Sequence, residues 1–326
     1  MADDKLAQPF ALTGKRIWVA GHRGMVGSAT VRRLERENCE ILVADRTELE
    51  LRDQAAVLTW MERAKPDVVI VAAATVGGIQ ANATRPADFL YDNLAIETNI
   101  IHAAYKIGIQ KLLFLGSACI YPREAAQPMS EDALLTGPLE PTNEWYAIAK
   151  IAGIKLCQAY HKQHGCDFIS AQPNNLYGPG DNFDLEGSHV IPALIVKAHY
   201  AKQNNASSFE LWGSGKPLRE FLHVDDLADA LIHILKHYSG PVPLNIGTGE
   251  EVSIGQLAQN IADVVGFKGA LTFDASKPDG SPRKLLDDAR MKTLDWNSTI
   301  NLKDGLASTY RWFLDHQTER RTSRFS

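Results

Sequence analysis

The short run Arg16-Ile-Trp-Val-Ala20 leads straight into Gly21-His-Arg-Gly24-Met-Val-Gly27, and a helical repeat runs from Met25 to Arg36. A strand that turns through three glycines into a helix limits the possible folds more than any other feature of this chain. Glycines there permit a tight turn and let a pyrophosphate approach the backbone, with its charge at the helix N-terminus. The spacing predicts a dinucleotide turn made by Gly21, His22, Arg23, Gly24, Met25, Val26 and Gly27. A glycine trio alone also suits an ordinary strand–helix turn, so the rest of the chain must carry the reading.

The alternation continues. Glu40–Val43 reads as a strand and Gln54–Ala64 as a helix. Asp67–Ala72, Lys111–Leu115 and Asp167–Gln172 are further apolar runs bounded by turn residues, with longer helices at 93–107 and 144–164 between them. Strands alternating with helices mean βαβ units and a parallel sheet. The expected fold class is α/β: a Rossmann-type doubly wound parallel sheet with a smaller C-terminal α/β substrate-binding domain. After Pro173 the texture changes to Pro173-Asn-Asn-Leu-Tyr-Gly-Pro-Gly180, a loop composition. A helix at 189–203, strands near 209–212 and 219–224, and helices at 227–238 and 253–265 follow. Residues 1–173 are expected to hold the dinucleotide, rejoined by about 221–238, and 174–326 mainly a nucleotide-sugar.

Composition narrows the class. Across 326 residues, 45% are apolar and 22% charged, an ordinary balance for a globular protein. The net charge of −5 leaves no electrostatic footprint for nucleic acid, so an anionic ligand needs cations gathered locally. Met1–Gly14 carries Asp3, Asp4 and Lys5 without an apolar core, unlike a secretory signal, and no apolar run is long enough for a membrane. Cys39, Cys119, Cys157 and Cys166 form no CxxC pair, which points away from a metal site and toward the cytoplasm. Met1–Gly14 and the basic tail Arg320–Arg324 are expected to fray.

Two further motifs bear chemistry. Tyr146 and Lys150 stand four residues apart, hence on one helix face, where an ammonium lowers a phenol's pKa toward neutrality. Ser117 closes the strand 111–115 at the edge where open parallel sheets place ligands. A hydroxyl there can bind a carbonyl oxygen while Tyr146 protonates it. Asp45 beside Arg46 leaves cofactor choice open, because the acid suits the ribose hydroxyls of NAD and the arginine the 2′-phosphate of NADP.

With the glycine turn, Ser117 and the Tyr146/Lys150 pair in this order, the chain resembles the extended short-chain dehydrogenase/reductase family, whose members mostly modify nucleotide-linked sugars. Gly21–Ser28, Gly116-Ser-Ala-Cys-Ile-Tyr-Pro122, Gly187-Ser-His-Val-Ile-Pro192, Arg219-Glu-Phe-Leu-His-Val-Asp-Asp226 and Pro278–Lys284 carry the resemblance, from about Lys15 to Trp296. It implies 3,5-epimerisation of GDP-4-keto-6-deoxy-D-mannose, then NADPH-dependent reduction at C4 to GDP-L-fucose. It assigns reduction to Ser117, Tyr146 and Lys150, and epimerisation to Cys119 and His189. It implies NADP(H) held by residues 21–27, Arg46, Leu115, Gly116, Ser117, Ala118, Lys150, Pro173, Asn174, Asn175, Leu176 and His189. The GDP-linked deoxy-keto sugar is expected at Lys197, Trp212, Arg219 and Asp279, with Lys284 as a further cation. A homodimer through the helices around 93–107 and 144–164 is implied too. Asp45 departs from the pattern of an NADPH enzyme. The alternatives are an NAD-dependent sugar-nucleotide 4-epimerase or 4,6-dehydratase of the same family, and a non-catalytic dinucleotide sensor.

Overall fold

Strand β1 (Arg16–Ala20) has Ile17, Trp18, Val19 and Ala20 all buried, the signature of a strand covered on both faces. The computed structural model of the chain describes residues 9–185, 187–277 and 279–317. Helix α1 (Met25–Leu34), β2 (Glu40–Leu42), α2 (Gln54–Ala64), β3 (Val68–Val71), α3 (Ile79–Thr84), α4 (Pro86–Ile107), β4 (Lys111–Leu115), α5 (Glu144–His164) and β5 (Phe168–Pro173) follow in order. Helix α4 starts at Pro86 rather than near 93, because a proline in the first turn needs no hydrogen-bond donor.

The second half contains β6 (Asn175–Tyr177), α6 (Val190–Gln203), β7 (Ser208–Trp212), β8 (Leu218–Arg219), β9 (Phe221–His223) and α7 (Val224–His237). It continues with β10 (Leu244–Ile246), β11 (Val252–Ser253), α8 (Ile254–Val265), β12 (Ala270–Asp274), β13 (Arg283–Lys284), α9 (Ala289–Thr293) and α10 (Leu302–Asp315).

Six strands form one parallel sheet in the order β10-β5-β4-β3-β1-β2, the doubly wound arrangement expected. The chain moves one way from β1 to β2 and the other way from β3 onward. Ligands of such sheets bind in the crevice beyond the strand C-termini at that reversal. Val57, Met61, Ile100, Ala104, Ile151 and Ile154 of α2, α4 and α5 cover one face. Leu34 of α1 and Leu227, Leu231 and Leu235 of α7 cover the other. A separate cluster joins α6, α8 and α10 through Leu194, Leu257, Ile261, Leu306 and Phe313.

The single strand expected at 219–224 is two. β8 pairs with β11 and β13, while β9 pairs with β6; the strand that joins the main sheet is β10. Glu220 separates β8 from β9 and turns a fully buried carboxylate inward, where it accepts from Thr248 N–H and Gly249 N–H at 2.7 Å. Helix α7 returns to the main sheet all the same, lying on its face beside α1. The fraying expected of Met1–Gly14 does not extend to its second half. Phe10 N–H donates to the Lys236 carbonyl at 2.7 Å, and Leu12 is buried. Met1–Gln8 and the tail Arg320–Arg324 lie outside the described residues.

Candidate active site

The glycine turn is built around two positions. Gly21 has φ +90°, and a Cβ on Gly27 would lie 2.1 Å from the Gly21 carbonyl oxygen, so neither site admits a side chain. Gly24 caps α1 without any side-chain hydrogen bond, which leaves the first N–H groups of the helix for an anion. This cradle fits a dinucleotide pyrophosphate.

At the end of β2, Asp45 is already engaged. Arg23 donates to its carboxylate at 2.7 Å, and His22 Nε2 lies 3.2 Å from it. Arg46 is 64% exposed and has only a loose pairing with Glu50 at 3.6 Å, while Glu50 is gripped by Arg52 at 2.9 Å. The acid that would meet NAD ribose hydroxyls is thus balanced, and a guanidinium stands open beside it.

Ser117 follows β4 with extended backbone, and its Oγ accepts from Cys119 N–H at 3.4 Å, capping a single 3-10 turn, Ala118–Ile120. Cys119 is thereby set one turn past Ser117. From α5, Tyr146 and Lys150 reach the same place: Lys150 Nζ lies 5.8 Å from the Tyr146 ring and 4.7 Å from the Phe114 ring. Sequence spacing suggested that Lys150 lowers the Tyr146 pKa. In the fold the phenol goes the other way: burial, then the neighbouring Cys119 and Glu97, raise it well above the ordinary value. Burial pushes Lys150 down, with Glu97 and Cys119 drawing it back. Burial also pushes the Cys119 thiol up against the pull of Lys284, Ser117 and Lys150. A phenol held protonated is a proton donor, which is the role a carbonyl reduction needs.

His189 caps α6 from a loop that docks on the segment after β3, where Gly78 N–H donates to the Gly187 carbonyl at 3.2 Å. His189 is exposed, yet the protein packed around it lowers its pKa by desolvation. Among the described residues no hydrogen bond joins His189 to Cys119. Near β5, the Asn174 side chain donates to Glu220 and Asn175 Nδ2 to the Glu220 carbonyl at 2.8 Å. A ligand contact from Asn174 would therefore come from its backbone, as it would from Pro173; Leu176 follows within β6.

The remaining site residues converge from the second half. Trp212, 61% exposed, has Lys197 Nζ at 5.4 Å and Lys277 Nζ at 5.5 Å from its ring. Asp279 accepts from Ser214 N–H at 2.6 Å and Ser214 Oγ at 2.7 Å, and these bonds hold its pKa low. Arg219 on β8 pairs in register with Lys284 on β13 and feels the charge of Asp279. Lys284 was expected only as a phosphate cation. In the fold it also lies close enough to Cys119 to favour the thiolate, so the two halves meet there. Sequence reasoning missed Glu97, a carboxylate within the apolar stretch Asn93-Leu-Ala-Ile-Glu-Thr-Asn-Ile-Ile101; that isolated charge was the available signal.

A nucleotide cradle, a switch-point crevice and a Ser/Tyr/Lys set at its edge define a nicotinamide-dependent enzyme of the sugar-nucleotide type. Residues 17–247 match the NAD dependent epimerase/dehydratase family, and the chain belongs to it. A GDP-L-fucose synthase of Sinorhizobium fredii is 58% identical over 307 residues, 94% of this chain and 98% of the relative. A GDP-L-fucose synthase of Escherichia coli K12 is 55% identical over 316 residues, 94% of this chain and 98% of the relative. The crystal structure of a GDP-L-fucose synthetase from Naegleria fowleri bound to NADP superposes with a TM-score of 0.90 at 32% identity, covering 97% of this chain and 100% of that one.

Proposed function

We infer that this enzyme converts GDP-4-keto-6-deoxy-D-mannose to GDP-L-fucose, by epimerisation at C3 and C5 followed by NADPH-dependent reduction at C4. The observation that carries the reading is the meeting of Ser117, Cys119, Tyr146 and Lys150 beside the glycine cradle, in a chain 58% identical to a GDP-L-fucose synthase. Arg46, open beside an Asp45 paired with Arg23, supports NADPH over NADH. The NADP-bound relative supports it too.

The C4 ketone acidifies the protons on C3 and C5. Ser117 and Tyr146 hydrogen-bond the C4 oxygen and hold the charge of the enolate, while Cys119 and His189 exchange protons at the two carbons. Bound in the cradle, NADPH supplies the hydride that reduces C4. Tyr146 gives its proton to the C4 oxygen, and Lys150 restores the phenol. The GDP end rests on Trp212, Lys197 and Arg219, with the Asp279 turn shaping the pocket; arginine suits a pyrophosphate because its fork donates two bonds at once.

In this reading residues 1–173, with α7 and β10, hold the dinucleotide, and the rest of 174–326 holds the nucleotide-sugar. The enzyme works as a homodimer through α4 and α5, whose exposed Tyr91, Trp145 and Ile148 support such a face. Among the described residues no helix is long and apolar enough to cross a membrane. Four unpaired thiols fit a reducing compartment, and the cytoplasm is the proposed location. The test is oxidation of NADPH, run beside NADH, with GDP-4-keto-6-deoxy-D-mannose and identification of the product. GDP-L-fucose formed faster with NADPH is expected; no oxidation of either cofactor by folded, dinucleotide-binding protein would overturn the reading.

A further inference from the structure

One buried carboxylate behind the site has no task in this scheme. Glu97 is 1% exposed, and neither of its carboxylate oxygens has a hydrogen-bond partner of ordinary geometry. A buried carboxylate in that condition stays charged only at great cost. Helix α5 makes room for it. A Cβ on Gly153 would lie 3.0 Å from the Glu97 carboxyl carbon and 2.4 Å from the Phe114 ring, so a larger residue would displace both. Lys150 stands one turn before Gly153 and is itself buried, its ammonium over the rings of Phe114 and Tyr146. Carboxyl, amine and phenol are therefore near enough between α4, α5 and β4 to feel one another's charge, with no direct hydrogen bond between Glu97 and Lys150.

The charged and titratable groups that face Glu97 are few. Lys150, Tyr146 and Cys157 do so from α5, and Cys119 acts on the first two from the turn after β4. β3 and α3 carry no titratable side chain, and Lys111 of β4 is held at the strand's far end by the Tyr238 carbonyl and Asp167. On α2, Glu62 and Arg63 are exposed. Burial raises the Glu97 pKa, with the Lys150 charge and then the Gly153 backbone N–H drawing it back, and burial lowers that of Lys150 against the pull of Glu97 and Cys119. Glu97 is thus a carboxyl that keeps its proton where ordinary glutamates have lost theirs.

We propose that Glu97 is the proton store of the Lys150–Tyr146 pair, a positioning residue that reloads the phenol through Lys150 during reduction. The inference rests on the reductase reading above. As hydride reaches C4, the Tyr146 proton passes to the C4 oxygen. Lys150 hands a proton to the phenolate and takes one from the Glu97 carboxyl, and solvent later reprotonates the carboxylate. The balance is one hydride and one solvent proton for each ketone converted to alcohol. Epimerisation returns every proton it removes and makes no demand on the store.

A single turnover in weak buffer with a pH-indicator dye tests this in the wild-type enzyme, with NADPH and GDP-4-keto-6-deoxy-D-mannose. Loss of NADPH absorbance should precede proton uptake from solvent, because the first proton comes from inside. Uptake in step with hydride transfer would overturn the proposal, whether or not any variant folds. In Glu97→Gln the lag should shorten, since only Tyr146 and Lys150 still hold an internal proton, and reduction should slow about tenfold, below the low end of what a general acid contributes. Deuterium exchange at C3 and C5 should be slowed far less. Equal slowing of exchange and reduction would mark Glu97 as merely structural and overturn the store; a lag restored in Glu97→Asp would support it. No NADPH oxidation by the wild type would instead overturn the reductase reading, and the store with it.

Discussion

Six parallel strands are covered by α2, α4 and α5 on one face and α1 and α7 on the other, and all but the edge strand β2 bury their side chains almost entirely. The lobe around α6, α8 and α10 is assembled otherwise. Its sheets have two or three strands each, and buried carboxylates tether its loops. Glu220 gathers Asn174, Thr248, Gly249 and Leu286, while Asp226 accepts from Thr299 and Ile300. The first region is held by area removed from water, which tolerates small changes of shape. The second adds a few polar hubs to its own apolar cluster, and at those hubs one lost acceptor strands several donors. The division extends to function in our reading: the sheet edge carries reacting groups, and the tethered lobe carries the handle for GDP.

The sharpest way to break this comparison is kinetic. Tyr146→Phe should lower the reduction rate by about 100- to 10 000-fold, the usual worth of a positioned acid, with little change in KM. Arg219→Gln, in the tethered lobe, should raise KM about 10- to 100-fold, as loss of a charged hydrogen bond does, and leave kcat nearly alone. If steady-state assays found both variants changing the same parameter, the proposed division of labour would be wrong. Stability comes next. Glu220→Ala should cost about 3 kcal/mol or more in denaturant titration, since at least two backbone N–H groups lose their acceptor. Ile70→Val, in the middle of β3, should cost only about 0.5–1.5 kcal/mol. Comparable losses would erase the distinction between hubs and area.

The smallest effect concerns the seam between α1 and α7. Burial pushes the Glu37 carboxyl up, but hydrogen bonds from Lys236 and Arg33 outweigh it and hold the pKa below its ordinary value. A pKa lowered by folding stabilises the protein above the unfolded value, and that contribution disappears as pH falls through the folded value. Glu37→Gln should therefore be less stable than wild type near neutrality by at most about 1 kcal/mol. The gap should close in acid, below the ordinary carboxylate range; thermal melts across pH would show a constant gap if the pair contributed nothing.

The first half of the chain was legible because its signals are local. Three glycines at fixed spacing, Tyr146 four residues before Lys150, and continuous apolar strands each follow from backbone sterics or helix period. The second half was less so. β10 and the split of β8 from β9 had no local cue, because short strands take their identity from distant partners such as Arg219 opposite Lys284. Trp212 could be core or stacking platform by sequence; its exposure between two lysines is a tertiary outcome.

The amino-acid order by itself determined the doubly wound sheet and the glycine turn, and marked Ser117, Tyr146 and Lys150 as candidates, since these depend on contacts within a few residues or on a repeating period. Only the tertiary structure decided their charge states and company. Burial, not the nearby lysine, sets the Tyr146 pKa; Arg23 pairs with Asp45; and Glu97, from a helix some 50 residues before Tyr146, acts electrostatically on Lys150. Desolvation and long-range pairing depend on what the whole chain brings together, and no local spacing encodes that.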